Sequence, residues 1–429
     1  MWKKGRAWAV CLALLLMTGC TYSATVTDGG TASAPGGTVS GTPSPQTTAA
    51  QKVRTEKKTT LWRAECEEFI SLRAEPDTGA ERLAQIPAGE RVTLTGWSGK
   101  FAKVTYRGQE GYVLAHYLAA QNGEREKLAV LKATDRYSYE QMRADMETLR
   151  KAYPEKLRTE SAGESQEGRE LTVLLMGNPE AKHHVFLFGA IHGREHMTAW
   201  LLMAMAEYSL SEGLGQTEDI LWHILPMSNP DGVTISQSGQ LGKAQEAIYR
   251  RELESGGTDL PPALYAGTWK ANSRGVDLNR NFPVAWQEQG GPGESSAQQY
   301  KGEAPFSEAE SRALRDYTRR YAFDAVLNYH ATGSILYGRY DGEREDLGEK
   351  TRSLTETVRA LTGYDPVEDE GPAGPGYKDW ALEEMGIPCL TVEIGSGRAP
   401  LTEKELDAVF ERNCRTMAAV GEWVTDGTE

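Results

Sequence analysis

From Ser138 onward, short apolar runs alternate with stretches in which apolar residues recur every three or four positions. Ser138–Tyr153 carries Met142, Met146 and Leu149 at helical spacing, the mark of a helix with one buried stripe. Leu171–Met176, His184–Gly189, Ile220–Met227, Ala325–Tyr329 and Cys389–Ile394 are near-continuous apolar runs of strand length. Such runs suit strands covered on both faces. Between and after them, Met197–Leu210, Glu308–Tyr321, Glu349–Leu361 and Leu401–Val424 read as helices. Strands alternating with helices over residues 135–425 predict one α/β domain with a mixed, mostly buried sheet flanked by helices. Catalytic loops then lie at strand ends.

Upstream the period changes. Phe69–Leu72, Arg91–Leu94 and Ala102–Thr105 are short alternating runs separated by Gly, Pro and Asp turns, which predicts a small β-barrel over residues 61–119. A polar connector, residues 120–134, follows it. Residues 20–60 are rich in Thr, Ser, Gly, Pro and Ala, with too few large apolar side chains to offset ordering by burial; they read as a disordered tether.

The 429 residues, 39% hydrophobic and 8% aromatic, suffice for one large core and one small one. The net charge of −14 comes without any Lys/Arg-rich block. Nucleic-acid binding is therefore not expected, since phosphate contacts need a basic face. Residues 1–19 read as a targeting segment: Lys3, Lys4 and Arg6 precede a short apolar run, Ala7–Met17. That run is too short to span a bilayer comfortably. Met17-Thr18-Gly19-Cys20 resembles the lipobox of bacterial lipoproteins, which implies acylation at Cys20, a membrane anchor and an extracytoplasmic location. The competing expectation is an ordinary signal peptide cleaved nearby. Cys66, Cys389 and Cys414 remain; three cysteines define no disulfide framework, although one bridge between Cys389 and Cys414 is open.

The chemistry starts where the run Val185–Phe188 passes through Gly189-Ala190-Ile191 into His192-Gly193-Arg194-Glu195. A His and a Glu three apart at a strand end can face one cation. Catalytic zinc takes three protein ligands, and His330, which ends the run Ala325–Tyr329, is the natural third. Asp277-Leu278-Asn279-Arg280 sets an acid, an amide and a guanidinium together; an Arg beside an Asn makes a good carboxylate receptor. Glu393 interrupts the otherwise apolar Leu390–Ile394 and is a candidate general base, with a structural ion pair as the competing explanation.

As an ordered set, His192/Glu195, Asn229-Pro230-Asp231-Gly232, Asp277–Arg280, His330 and Glu393 resemble the zinc carboxypeptidase family of the carboxypeptidase A type, in its bacterial murein-peptidase-like branch, over residue 135 to the end. The resemblance implies one Zn2+ held by His192, Glu195 and His330, with Glu393 as catalytic base. It implies Asn279 and Arg280 at the substrate's terminal carboxylate, Arg194 as a further substrate-binding residue, and Asp277 orienting His192. Upstream, Ser71-Leu72-Arg73, Pro76, Pro87-Ala88-Gly89, Gly96-Trp97 and Gly108-Gln109-Glu110-Gly111-Tyr112-Val113 resemble bacterial Src-homology-3-like domains. Such domains often bind peptidoglycan stem peptides, although Trp97 and Tyr112 could equally be core residues.

Two positions depart from the digestive members. The oxyanion-stabilising Arg has no unambiguous match: Lys270 follows Trp269, and Arg274 is the other candidate. The substrate-capping Tyr is unmatched, with Tyr377 and Tyr364 as possible substitutes. Lys378, two residues before Trp380, falls at a specificity-pocket position, where a cation favours a carboxylate-bearing leaving residue such as diaminopimelate. The whole reads as an exported, membrane-anchored exopeptidase acting on a muropeptide at a γ-D-glutamyl-diaminopimelate bond, held to peptidoglycan by its barrel. The alternatives are a general secreted peptide carboxypeptidase, favoured by the intact Asn279-Arg280 pair, and a non-catalytic wall-binding lipoprotein.

Overall fold

The computed structural model describes residues 61–121, 123–215, 218–339, 345–367 and 371–426. The expected leader, the lipid site Cys20 and the tether lie outside the described residues.

Seven short strands form the first sheet: β1 (Leu61–Ala64), β2 (Phe69–Arg73), β3 (Arg82–Pro87), β4 (Arg91–Ser98), β5 (Phe101–Tyr106), β6 (Gln109–Leu114) and β7 (Leu118–Gln121). They pair antiparallel in the order β3-β2-β6-β5-β4-β1-β7. Alternation turns Ile70, Leu72, Val92, Val104 and Val113 inward around Trp62. Register shifts at Leu72/Arg73 and Leu94/Gly96 bend the strands enough to wrap so small a core.

Eight strands form the second sheet: β8 (Leu157–Glu164), β9 (Glu170–Gly177), β10 (His183–Gly189), β11 (Ile220–Leu225), β12 (Ala325–Ala331), β13 (Ile335–Tyr337), β14 (Asp365–Pro366) and β15 (Cys389–Ile394). Their order is β14-β13-β15-β12-β10-β11-β9-β8. The neighbours β15, β12, β10 and β11 run parallel, and β9, β8 and β13 antiparallel to their neighbours toward the centre. All five expected strands are present. β8 was not expected because its polar sequence, LRTESAGE, follows an edge strand's half-exposed pattern.

Side chains alternate between two cores. Leu174, Met176, Val185 and Leu187 face one, and Val173, Leu175, Phe186 and Phe188 face the other. Helix Met197–Glu212 fills the first, buried almost all round, and ends at Gly213, whose φ of 67° is the left-handed cap that glycine adopts at least cost. This division also settles the open disulfide. Cys389 packs in the second core and Cys414 in the first, so the sheet separates them; both thiols are free. The single helix expected over Leu401–Val424 is two, Leu406–Asn413 and Thr416–Asp426. At the break the Asn413 amide bonds Tyr364 Oη (2.9 Å) and the Val409 carbonyl (2.8 Å), engaging a carbonyl of its own helix.

The barrel docks on the peptidase through Arg412. This buried guanidinium donates to the Gly99 carbonyl of the barrel (2.8 Å) and to the Thr362 carbonyl (2.6 Å), lying 5.0 Å from the Trp97 ring and 4.1 Å from Tyr364. Gly99 N reaches the Gly363 carbonyl (2.8 Å), and Ala408 joins the barrel's core. Trp97 thus faces the peptidase and Trp62, while Tyr112 is half-buried on β6.

Helix Ala309–Arg320 carries a buried carboxyl, Glu310. Burial raises it to about 7, although Gln166 N and Asn272 Nδ2 donate to it. A carboxyl raised from 4.5 in this way stays protonated in the fold while the unfolded chain ionises. Stability therefore falls as pH rises from that value to about 7, then levels. Urea unfolding at pH 5 and pH 8 is expected to show a loss on the order of a few kcal/mol from this group. Glu310→Gln is expected to flatten that slope; an unchanged slope would assign the pH dependence to other groups.

Candidate active site

Strand register assembles the site. β10 pairs with β12 so that Gly189 lies opposite Tyr329, and β12 pairs with β15 so that His330 lies opposite Glu393. All three parallel strands end on one side of the sheet. The chain leaving β10 turns at Gly193–Glu195 and sets His192 and Glu195 beside the end of β12.

The Asn229–Gly232 segment fastens this loop. Asn229 Nδ2 donates to the Ile191 (3.0 Å) and Ala271 (3.1 Å) carbonyls, and its Oδ1 caps helix Pro230–Ser238 through Gly232 N (2.9 Å). A Cβ on Gly193 would lie 2.4 Å from the Gly232 carbonyl, so only glycine lets the two backbones meet. Gly193 N also donates to the Lys270 carbonyl (3.0 Å), tying the loop that carries Lys270 to the one that carries His192.

His192 Nδ1 lies 2.9 Å from Glu195 Oε1 and 3.2 Å from His330 Nδ1, and His330 Nδ1 lies 3.0 Å from Glu195 Oε2. All three residues are buried, and their ligand atoms lie within 4.8 Å of one another. Against burial, which would raise it, His192 and His330 hold the Glu195 carboxyl well below the usual range. Two imidazole nitrogens facing one anionic carboxylate in a dry site is the donor set of a catalytic zinc centre, with one position left for substrate or water. The residues fit a zinc ion. Behind them Asp277 Oδ1 lies 3.2 Å from His192 Nε2, which directs the Nδ1 lone pair toward the metal position. Burial opposes the charge on Asp277, but His192 outweighs it and keeps that carboxyl ionised.

These groups open on a cleft of about 540 Å³. Glu393 lines it, and burial first, then the Glu195 carboxylate, push its carboxyl up to about 8 against the pull of His192, Lys270 and Arg194. Asn279, Arg280 and Lys378 line the same cleft. Asn279 Oδ1 accepts from Tyr377 N (3.0 Å), Arg280 Nη1 is 3.4 Å from Gln289 Oε1, and Lys378 Nζ reaches the Arg339 carbonyl (2.6 Å) and Asp379 Oδ1 (2.8 Å).

Two expectations change. Of the two cations weighed for the oxyanion, Lys270 lines the cleft, its Nζ 3.7 Å from Glu195 Oε1. Arg274 instead points at Glu308 Oε1 (3.7 Å), half-exposed and outside that lining. Neither Tyr377 nor Tyr364 can cap a substrate: both are buried, with hydroxyls bonded to Thr318 Oγ1 (2.7 Å) and Asn413 Nδ2 (2.9 Å). Residues not singled out from sequence also line the cleft, among them Glu288, Gln289, Tyr337, Arg339 and Thr391. Thr391 sits on the strand of Glu393 two residues before it, a period-two signal, and Tyr337 ends β13; Glu288, Gln289 and Arg339 sit on irregular segments with no such signal.

Residues 142–416 match the family described as "Zinc carboxypeptidase", and residues 68–119 match "Bacterial SH3 domain". The chain is 29% identical over 288 residues to gamma-D-glutamyl-L-diamino acid endopeptidase 1 of Lysinibacillus sphaericus, covering 64% of this chain and 69% of that protein. It is 27% identical over 319 residues to carboxypeptidase B of Astacus astacus, covering 68% and 98%. The solved carboxypeptidase A of Helicoverpa armigera superposes with a TM-score of 0.54 at 20% identity, over 77% of this chain and 92% of that one, a likeness of fold. With a two-His, one-Glu site fit for zinc at the ends of two parallel strands, Glu393 on the third, and a family match across most of its length, the chain belongs to the zinc carboxypeptidase family, as a metallopeptidase preceded by a bacterial Src-homology-3 domain.

Proposed function

We propose that this metallopeptidase hydrolyses the γ-D-glutamyl-diaminopimelate bond of peptidoglycan stem peptides outside the cytoplasm. One observation carries the reading: Arg280 and Lys378 line the same cleft as Glu393, offering two cations to a leaving residue. Diaminopimelate carries two carboxylates. Asp379, 2.8 Å from Lys378 Nζ, adds an acceptor for the amine on the same side chain. The likeness to the Lysinibacillus gamma-D-glutamyl-L-diamino acid endopeptidase supports this reading. The Src-homology-3 domain and the lipobox-like Met17–Cys20 favour a wall-facing, lipid-anchored protein.

Zinc held by His192, Glu195 and His330 supplies Lewis acidity toward the scissile carbonyl and the attacking water. Glu393 takes a proton from that water and passes it to the leaving nitrogen. Lys270 faces the negative charge that develops on the carbonyl oxygen, and Arg280 holds the leaving residue's carboxylate in a forked pair. The intact Asn279-Arg280 pair also suits ordinary C-terminal residues, which keeps a general peptide carboxypeptidase as the second reading.

The test is mass spectrometry of products from the zinc-loaded protein, given a muropeptide containing the γ-D-glutamyl-diaminopimelate bond and an ordinary peptide ending in Leu. Preferential cleavage of the muropeptide is expected. Lys378→Met is expected to lower kcat/KM for it roughly tenfold or more while sparing the Leu peptide, since it removes one charge partner from the pocket. Cleavage of the ordinary peptide alone would give the second reading.

A further inference from the structure

Glu393 is the next-to-last residue of β15, and the chain leaves that strand through Gly395-Ser396-Gly397. Two glycines around a serine hold no fixed conformation by themselves. Contacts from three directions fix this exit. From the turn between β12 and β13, Ser334 Oγ and Gly333 N donate to the Gly395 carbonyl (2.8 and 3.2 Å), and Thr332 Oγ1 donates to the Gly397 carbonyl (3.0 Å). From ahead of helix Leu406–Asn413, Glu405 Oε2 accepts from Ser396 N and Gly397 N (3.1 Å each). The third contact comes from the barrel: His116 Nδ1 lies 3.1 Å from Ser396 Oγ, 280 residues away in the chain.

The barrel also backs the turn between β12 and β13. A Cβ on Gly99, in the β4–β5 hairpin, would collide with the Asp365 carboxylate, and Asp365 N donates to the Ser334 carbonyl (3.1 Å). A Cβ on Gly333 in that turn would lie 3.5 Å from the Cβ of Glu393. Both supports of the Glu393 strand end, the exit after it and the turn packed against it, are therefore touched by the barrel. A module that served only as a tether has no need of either contact.

We propose that the barrel is part of the construction of the active site, with His116 a positioning residue that holds the Gly395–Gly397 exit and, through it, the Glu393 carboxylate against the reacting water. This rests on Glu393 acting as the base and is independent of which bond is cleaved. Proton transfer is sensitive to placement: a shift of about 1 Å in a catalytic group can cost on the order of a hundredfold. Loosening one of the three contacts forfeits part of that.

The experiment is steady-state kinetics of the zinc-loaded full chain on the substrate that the parent protein cleaves best, with zinc content measured in parallel. His116→Ala is expected to lower kcat roughly tenfold while KM and zinc content stay at parent values. His116→Asn, whose side-chain amide can occupy the place of Nδ1, is expected to restore most of the loss. Ser396→Ala should lose a similar factor, and the double variant no more than either single one, because both remove the same contact. Parent-like kcat in His116→Ala, a loss that His116→Asn fails to restore, losses that multiply in the double variant, or a loss carried by KM or zinc content would overturn the positioning role. Activity that survives Glu393→Gln would be a different failure, striking the base itself and the proposal with it.

Discussion

Glu393→Gln is expected to cut kcat by about a thousandfold or more while leaving zinc content at one ion per chain. The carboxyl lines the cleft without belonging to the His192, Glu195, His330 donor set. Its amide is nearly isosteric, so the packing of β15 survives, but it can neither accept the water's proton nor return it to the leaving nitrogen. Loss of one general base typically costs about 10²- to 10⁴-fold, and here the same group acts in both halves of the reaction. Metal analysis alongside steady-state kinetics makes the result interpretable. A variant that kept zinc and most of its activity would move the base elsewhere. A variant that lost zinc would return Glu393 to the structural ion-pair explanation raised by its place in an apolar strand.

Removal of zinc should abolish hydrolysis and also soften the fold. His192, Glu195 and His330 are each nearly inaccessible to solvent, and their ligand atoms crowd one point. Without a cation, two imidazoles and a carboxylate must share protons in a dry site, whereas a bound dication satisfies all three at once. Ligand binding to the folded state alone stabilises it in proportion to saturation, by about 4 kcal/mol at a thousandfold excess over Kd. Chelation is therefore expected to lower the thermal midpoint by several degrees, and zinc to restore both midpoint and activity. His330→Ala should remove metal retention, leaving the chelator without further effect. A midpoint indifferent to chelator in the parent protein would mean that the site does not hold metal under those conditions.

Much of this architecture is legible in the order of residues, for identifiable reasons. A strand buried on both faces must be apolar throughout, so β9, β10, β11, β12 and β15 stand out as runs. Their ends mark where polar side chains can gather, and His192, His330 and Glu393 are at or just beyond those ends. Edge strands are less legible because half their side chains meet water; β8 has only two buried positions. The break near Cys414 was not legible either, since Asn413 is compatible with a continuous helix until Tyr364 supplies its amide with a partner.

The oxyanion cation shows the limit most directly. Lys270 and Arg274 are four residues apart in one loop, and both carry the right charge. What separates them is the bond from Gly193 N to the Lys270 carbonyl, which anchors one residue at the cleft, and the ion pair that points the other at Glu308. The capping tyrosines fail for the same kind of reason: their hydroxyls are tied down by Thr318 and Asn413, residues distant in the chain.

By itself, the sequence determined the α/β class, the match of its two parts to a zinc carboxypeptidase and a bacterial Src-homology-3 domain, and the His192, Glu195, His330 set with Glu393 beside it, because burial and metal coordination demand particular residue types at particular strand ends. Tertiary structure alone decided which of the two cations lines the cleft, that Cys389 and Cys414 lie on opposite faces of the sheet, that Trp97 meets Arg412, and that a second cleft opens beside Arg194. Those outcomes depend on contacts between segments far apart in the chain, and no local pattern encodes which distant backbone or side chain will satisfy a given polar group.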